Sequence, residues 1–245
     1  MKLIICAAGD SKRMGDVTKD TPKPLLPLGN SSIIENLLTC LAHPPVNEII
    51  ILTGYLDGKF KDKIGDSFNN IKVSYVRNDL FSITNNMYSI LLSKDKVDSD
   101  IIFVSGDVYV SKEVCDDFMN NGQPNSILID KNQKLFIVED DDPVKVTVID
   151  GKIVAIDKKM PLLKTNGVAP GMYKLSYDAF KEFCYVTEYL MEKGNLNYGY
   201  IEPIKILIKK HTFVPHDLKD GKWCDIDTYG EYINFKKGLE SFNNY

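Results

Sequence analysis

The run of apolar segments along the chain predicts an α/β protein, a mostly parallel sheet covered by helices, with a mixed-sheet second half. Two observations carry that expectation. As far as residue 110, short β-branched runs alternate with segments of helical spacing, as strand–helix–strand units do. Beyond it the runs shorten and are joined by tight-turn pairs, which reads as antiparallel hairpins.

The elements follow in order. Residues 2–7 read as a buried strand. In "SSIIENLLTCLAH", Ile33, Ile34, Leu37, Leu38 and Leu41 recur at helical spacing, and Ser31 or Ser32 can cap the helix. "VNEIIILTGY" is a second strand, residues 57–67 a short helix, and "IKVSYVRN" a third strand. "NNMYSILLSKDKV" is helical with Met87, Ile90 and Leu91 inward, and "SDIIFVSGDVYV" is a fourth strand ending in Gly106-Asp107. In the second half "NSILIDK", "KLFIVED", "VKVTVIDGKIVAIDKK" and "GVAPGMYKLS" read as short strands, with Asp150-Gly151 as a hairpin turn. Helices are expected near 176–193, 200–210 and 228–240, with "TFVPHDL" a late strand and "KWCDIDT" a return toward the site. No repeat or low-complexity linker divides residues 1–245, so one domain is expected. Residues 1–110 would form its nucleotide-binding half and 111–245 its acceptor-binding half.

Composition narrows the classes. The chain is 44% apolar and 26% charged with a net charge of -4, ordinary for a globular protein with a sizeable core. A nucleic-acid binder advertises a basic excess, and none is present. No apolar run approaches the roughly 20 residues of a membrane span. Cys6, Cys40, Cys115, Cys184 and Cys224 show no CxxC spacing, which points to reduced thiols rather than a zinc or redox pair. A cytoplasmic location is expected from those thiols and the lack of a signal segment.

The loop after the first strand, "AAGDSKRMG", lies where ligands of open α/β sheets bind, beyond the carboxyl ends of the strands. Ala7, Ala8 and Gly9 are small enough for close backbone approach, and Gly9 and Gly15 permit turns that aim amides at phosphate oxygens. Arg13 can grip a phosphate with two bonds. Lys23 offers a compact charge on a backbone stiffened by Pro22 and Pro24. Neither GxxxxGK[ST] nor GxGxxG is present, and a purely structural turn would look similar. Asp107 after its strand, and Asp225 and Asp227 two apart on an extended segment, are turn acids or metal ligands. His43, His211 and His216 occupy ordinary positions, and no catalytic role is expected of them.

Taken together, "IICAAGDSKRMGDVTKDTPKPLLPLG" resembles the signature of the sugar-phosphate and choline-phosphate nucleotidyltransferase family: an apolar strand, AAG, an Arg, then T-x-x-x-P-K-x-L. Ser11 stands where the family usually has a second glycine. The resemblance implies a Rossmann-like fold of the nucleotide-diphospho-sugar transferase type. It also implies Mg2+-dependent transfer of a nucleotidyl group, with Arg13 and Lys23 on the phosphates and the metal on Asp107 and Asp227. Asp225 is then auxiliary. An acceptor phosphate is already anionic, so no general base is needed.

"NDLFSITNNMYSI" is similar to the YNN-x-x-S-L segment of bacterial choline-phosphate cytidylyltransferases, through Asn78, Asp79, Asn85, Asn86 and Ser89, and Gly54-Tyr55 also matches that subgroup. The resemblance therefore implies CTP as donor. It places Gly106 beside the metal ligand, Lys158 on the acceptor phosphate in preference to Lys145 or Lys159, and Gly167 and Gly171 around the acceptor pocket. An amino-alcohol head would need an aromatic cage and a carboxylate. Trp223, Tyr173, Tyr198, Tyr200 and Glu202 are available. The expected acceptor is phosphocholine-like. Phosphoglutamine, 2-aminoethylphosphonate, a hexose 1-phosphate with UTP or dTTP, and a non-catalytic nucleotide-binding regulator are the alternatives. A homodimer through the second half is compatible with the pattern.

Overall fold

The computed structural model describes residues 1–132, 143–219 and 221–242. The strand expected in "KLFIVED" lies outside them. Among the described residues, eight strands form the main sheet. Its centre is β1 (Lys2–Cys6), flanked in parallel by β4 (Glu48–Thr53) and β7 (Ile101–Ser105), with β6 (Ile71–Arg77) parallel outside β4 and β5 (Ser67–Phe68) closing that edge. Two short strands, β2 (Pro27–Leu28) and β3 (Ser31–Ser32), form a separate ribbon. On the other side β13 (Met172–Leu175) runs antiparallel between β7 and β9 (Ser126–Ile129), and β14 (Val214–Asp217) is parallel to β9 at the edge.

Alternation along the central strands explains why these runs are apolar throughout. Leu3 and Ile5 enter one core with α1 (Ile33–Leu41) and α4 (Lys112–Met119). Ile4 enters the other core, with α3 (Asn86–Leu91), α5 (Tyr177–Glu192) and α6 (Ile201–Leu207). A strand covered on both faces has no solvent side to make polar. Each such side chain contributes about 1.5–3 kcal/mol by leaving water.

Local chemistry sets the boundaries. Ser32 caps α1: its hydroxyl accepts from Glu35 N, while Glu35 Oε2 accepts from Ser32 N at 2.7 Å. The helix expected over residues 57–67 is α2 (Gly58–Ile64), stopped by Gly65 at φ 78°. The hairpin of β10 (Lys145–Ile149) and β11 (Lys152–Asp157) turns through Asp150 and Gly151, with φ of 49° and 73°. β12 (Gly167–Val168) adds a third strand to it. The fourth expected strand proves to be two. β7 stops at Ser105, the chain turns at Gly106-Asp107, and β8 (Val108–Val110) pairs with β15 (Trp223–Asp225). That small ribbon brings the late carboxylates back to the carboxyl end of β7, next to α7 (Tyr229–Phe242). Among the described residues no helix is long and apolar enough to cross a membrane.

Candidate active site

A cleft of about 560 Å3 opens at the carboxyl ends of β1 and β7. One wall is the first loop, Cys6 to Arg13, with Lys23 and Pro24; the segment from Asn78 to Ser89 supplies another. Val144, Lys158, Val168 to Gly171, Gly199 to Ile201 and Trp223 form the far wall.

The first loop is anchored where it leaves the sheet, by Ala7 N donating to Leu52 O and by Tyr55 N donating to Ala8 O. Ser11 adopts a left-handed backbone, φ 54° and ψ 38°, and its carbonyl accepts from Met14 N. It thus keeps the conformation that a glycine would take without strain. Gly171, at φ 91°, is a second special position: a Cβ there would lie 2.8 Å from Ser105 Oγ, against the cleft floor.

Charge is concentrated at one point. Lys23 is only 6% exposed, and its Nζ lies 2.7 Å from Asp107 Oδ2 and 2.8 Å from Asp227 Oδ1. Arg13 Nη2 reaches the other oxygen of Asp227 at 2.8 Å. Burial alone would lower the Lys23 pKa, but Asp107 and Asp227 outweigh it and raise the pKa above the usual lysine value. Burial would likewise raise Asp227, and Lys23 and Arg13 outweigh it, so its carboxyl is held below the ordinary range. The turn carrying Asp227 is fixed by its own N–H and that of Thr228, both donating to Glu231 Oε2. Asp107, Asp225 and Asp227 each offer an oxygen within 4.8 Å of the others. Three hard oxygen donors at that spacing fit a divalent cation such as Mg2+.

The structure brings Ala7, Ala8, Gly9, Ser11, Arg13, Lys23, Asn78, Asn85, Ser89, Asp107, Lys158, Trp223 and Asp227 to this one cleft. Asn78 is also an internal bracket, donating to Thr84 Oγ1 and Ser89 Oγ while accepting from Leu80 N. Asn85 caps α3 by accepting from Asn86 N.

Five expected residues do not line the cleft. Gly54 packs beneath the loop, where a Cβ would sit 2.5 Å from Ala8 O. Tyr55 turns its hydroxyl to Lys19 O. Gly106 is pressed on Cys6 O, which a Cβ would approach to 2.7 Å. Gly167 packs on Val146 and Ile129. Glu202 is paired with Lys205 at 2.7 Å. The expected aromatic cage is reduced as well. Tyr173 is fully buried and stacked on Phe103 at 4.7 Å, and Tyr198 lies away from the cleft, leaving Trp223 and the largely buried Tyr200. Sequence reasoning passed over Ser105, Phe81 and Thr84, which line the cleft. Ser105 could have been found from its place directly before Gly106-Asp107.

This geometry sits on a chain whose residues 2–241 match the nucleotidyl transferase family. The chain belongs to that family. Among curated proteins, this nucleotidyltransferase is 26% identical to the CTP:phosphoglutamine cytidylyltransferase of Campylobacter jejuni, over 93% of the chain and 96% of that protein. It is 32% identical to the CMP-5'-(3-aminopropyl)phosphonate synthase of Streptomyces rubellomurinus, over 44% of the chain and 17% of that longer protein. Among solved structures, the CTP:phosphocholine cytidylyltransferase of Streptococcus pneumoniae superposes with a TM-score of 0.76 at 22% identity, covering 97% of this chain and 98% of that one. That likeness shows the α/β fold. As a nucleotidyltransferase the enzyme moves a nucleotidyl group from a nucleoside triphosphate to a phosphorylated small acceptor.

Proposed function

We propose that the enzyme transfers CMP from CTP, with Mg2+, to a small phosphate or phosphonate that also carries an amino group, releasing pyrophosphate. The observation that carries the chemistry is the convergence of Lys23 and Arg13 on Asp107 and Asp227 at the mouth of the first loop. The choice of CTP and of an amine-bearing acceptor draws support from the two curated relatives, whose names pair cytidylyl transfer with phosphoglutamine and with an aminopropylphosphonate. Trp223 gives the far wall an aromatic face suited to an ammonium group.

In this reading the loop amides and Arg13 hold the triphosphate, and Lys158 meets the acceptor's phosphorus group. An acceptor oxygen attacks the α-phosphorus in line, the bond to the β-phosphate oxygen breaks, and pyrophosphate leaves. Lys23 keeps its proton throughout and stabilises charge on the equatorial oxygens. Asp107 and Asp227, with Asp225 beside them, would hold Mg2+, whose contribution when bound is neutralisation of phosphate charge. No side chain has to remove a proton.

The test is pyrophosphate release with Mg2+ across CTP, UTP, dTTP, ATP and GTP. Each is paired with phosphoglutamine, 2-aminoethylphosphonate, phosphoethanolamine, phosphocholine and glucose 1-phosphate. The expected result is CTP-dependent release with an amine-bearing acceptor. Release confined to UTP or dTTP with glucose 1-phosphate would replace this reading by a hexose-phosphate one.

A further inference from the structure

Trp223 is held by a residue that no cleft wall includes. Its Nε1 donates to Asp130 Oδ2 at 2.6 Å. Asp130 lies just past the end of β9 and is itself held by backbone bonds as well as through its side chain. Its N–H donates to Val168 O, its carbonyl accepts from Val168 N, and Oδ1 accepts from Asn132 N at 2.8 Å. Both carboxylate oxygens are therefore committed, one to the backbone and one to the indole. Val168 and Trp223 line the cleft and Asp130 stands behind them. The polar edge of the indole is thus taken up by Asp130, and what Trp223 offers beyond it is carbon and π surface, part of it packed on the core and part of it lining the cleft. A charge-assisted bond of this length is among the stronger side-chain contacts. It also polarises the N–H, which enriches the ring in electron density.

We propose that Asp130 is a positioning residue for acceptor choice: it pins the Trp223 ring so that the ammonium group of the acceptor packs on its face. This rests on the reading that the acceptor carries an amine. A ring free to rotate about its side-chain torsions would offer the N–H edge part of the time, and that edge repels a cation. Asp130 touches neither reacting atom, so its effect belongs to acceptor binding and not to phosphoryl chemistry.

Trp223 is the single tryptophan of the chain, so indole emission reports on this ring alone. In the resting enzyme, Asp130→Ala is expected to raise acrylamide quenching of that emission about twofold, because the ring is released from its wall. With 2-aminoethylphosphonate as acceptor, the same variant is expected to raise the acceptor KM about three- to tenfold, with kcat and the KM for CTP within about twofold. In a Trp223→Phe background, Asp130→Ala should add nothing further, since Asp130 acts through the indole. Should Asp130→Ala fold poorly, Asp130→Asn, which keeps one acceptor oxygen, takes its place with a smaller shift in the same direction. Unchanged quenching overturns the proposal, as does an acceptor KM that Trp223→Phe raises and Asp130→Ala leaves alone, or additive effects. If neither variant moves the acceptor KM while quenching rises, the amine-acceptor reading fails, and the proposal falls with it.

Discussion

Lys23 ties the first loop to both carboxylates of the site, and in the proposed reaction it also stabilises charge in the transition state. Its ammonium sits between Asp107 and Asp227, Arg13 also reaches Asp227, and an oxygen of Asp225 lies within 4.8 Å of those of the other two carboxylates. Removing the ammonium leaves carboxylates facing one another in a half-buried place, an arrangement that a divalent cation can relieve. Lys23→Ala is expected to lower kcat by about 10²–10³-fold. The same variant should gain more thermal stability from added Mg2+ than the parent does, because Mg2+ replaces a charge that the parent already has. Paired thermal melts with and without Mg2+ check this. An equal Mg2+ shift in both proteins would show that the lysine and the metal do not compete for the same carboxylates. Lys23→Arg should not restore the rate, since a planar guanidinium cannot fit between two oxygens only 2.7 and 2.8 Å from a single nitrogen.

At the scale of elements, the site depends on how closely β1 and β7 approach. Gly106 N donates to Cys6 O at 2.9 Å, and a Cβ on Gly106 would meet that same oxygen at 2.7 Å. Gly106→Ala must push the end of β7 away and carry Asp107 with it, at a cost of about 1–3 kcal/mol. Gly9→Ala meets nothing within 4 Å, so its stability should stay within about 0.5 kcal/mol of the parent. Urea midpoints for the two variants check the contrast, and equal midpoints would mean that the strand end yields without cost. This contact marks what the sequence could convey. The alternation of strands and helices, the capped α1, the Asp150-Gly151 hairpin and the early loop were legible, because each is written in neighbouring residues. The split of the fourth strand was not, because β8 exists only through pairing with β15, more than a hundred residues later. For the same reason Tyr173 read as a ligand aromatic: its partner, Phe103, is set by tertiary packing. Glu202 read as a site carboxylate, whereas its partner Lys205 lies three residues on along α6, a spacing that was legible.

Over the whole molecule, the two halves of the chain share one sheet. β13 and β9 come from the second half, yet β13 is hydrogen-bonded to β7 along residues 172–175, and Phe103 of β7 packs with Tyr173, Phe183 and Tyr200. The cleft is equally shared, since Lys23 from the first half is neutralised by Asp227 from the second. Neither half can therefore keep its core or its charges paired without the other. Exposing either set costs several kcal/mol, a large part of a domain's whole stability. The chain is expected to unfold as one cooperative unit. Far-UV circular dichroism weights the helices of both halves, while emission from Trp223 reports a point on the second half where it pairs with β8. Denaturant curves from the two probes should coincide in midpoint and slope, and residues 1–110 expressed alone should not reach a folded state. A Trp223 transition at lower denaturant than the dichroism would instead mean that the second half opens by itself. The cleft would then be assembled by ligand rather than already formed in the resting enzyme.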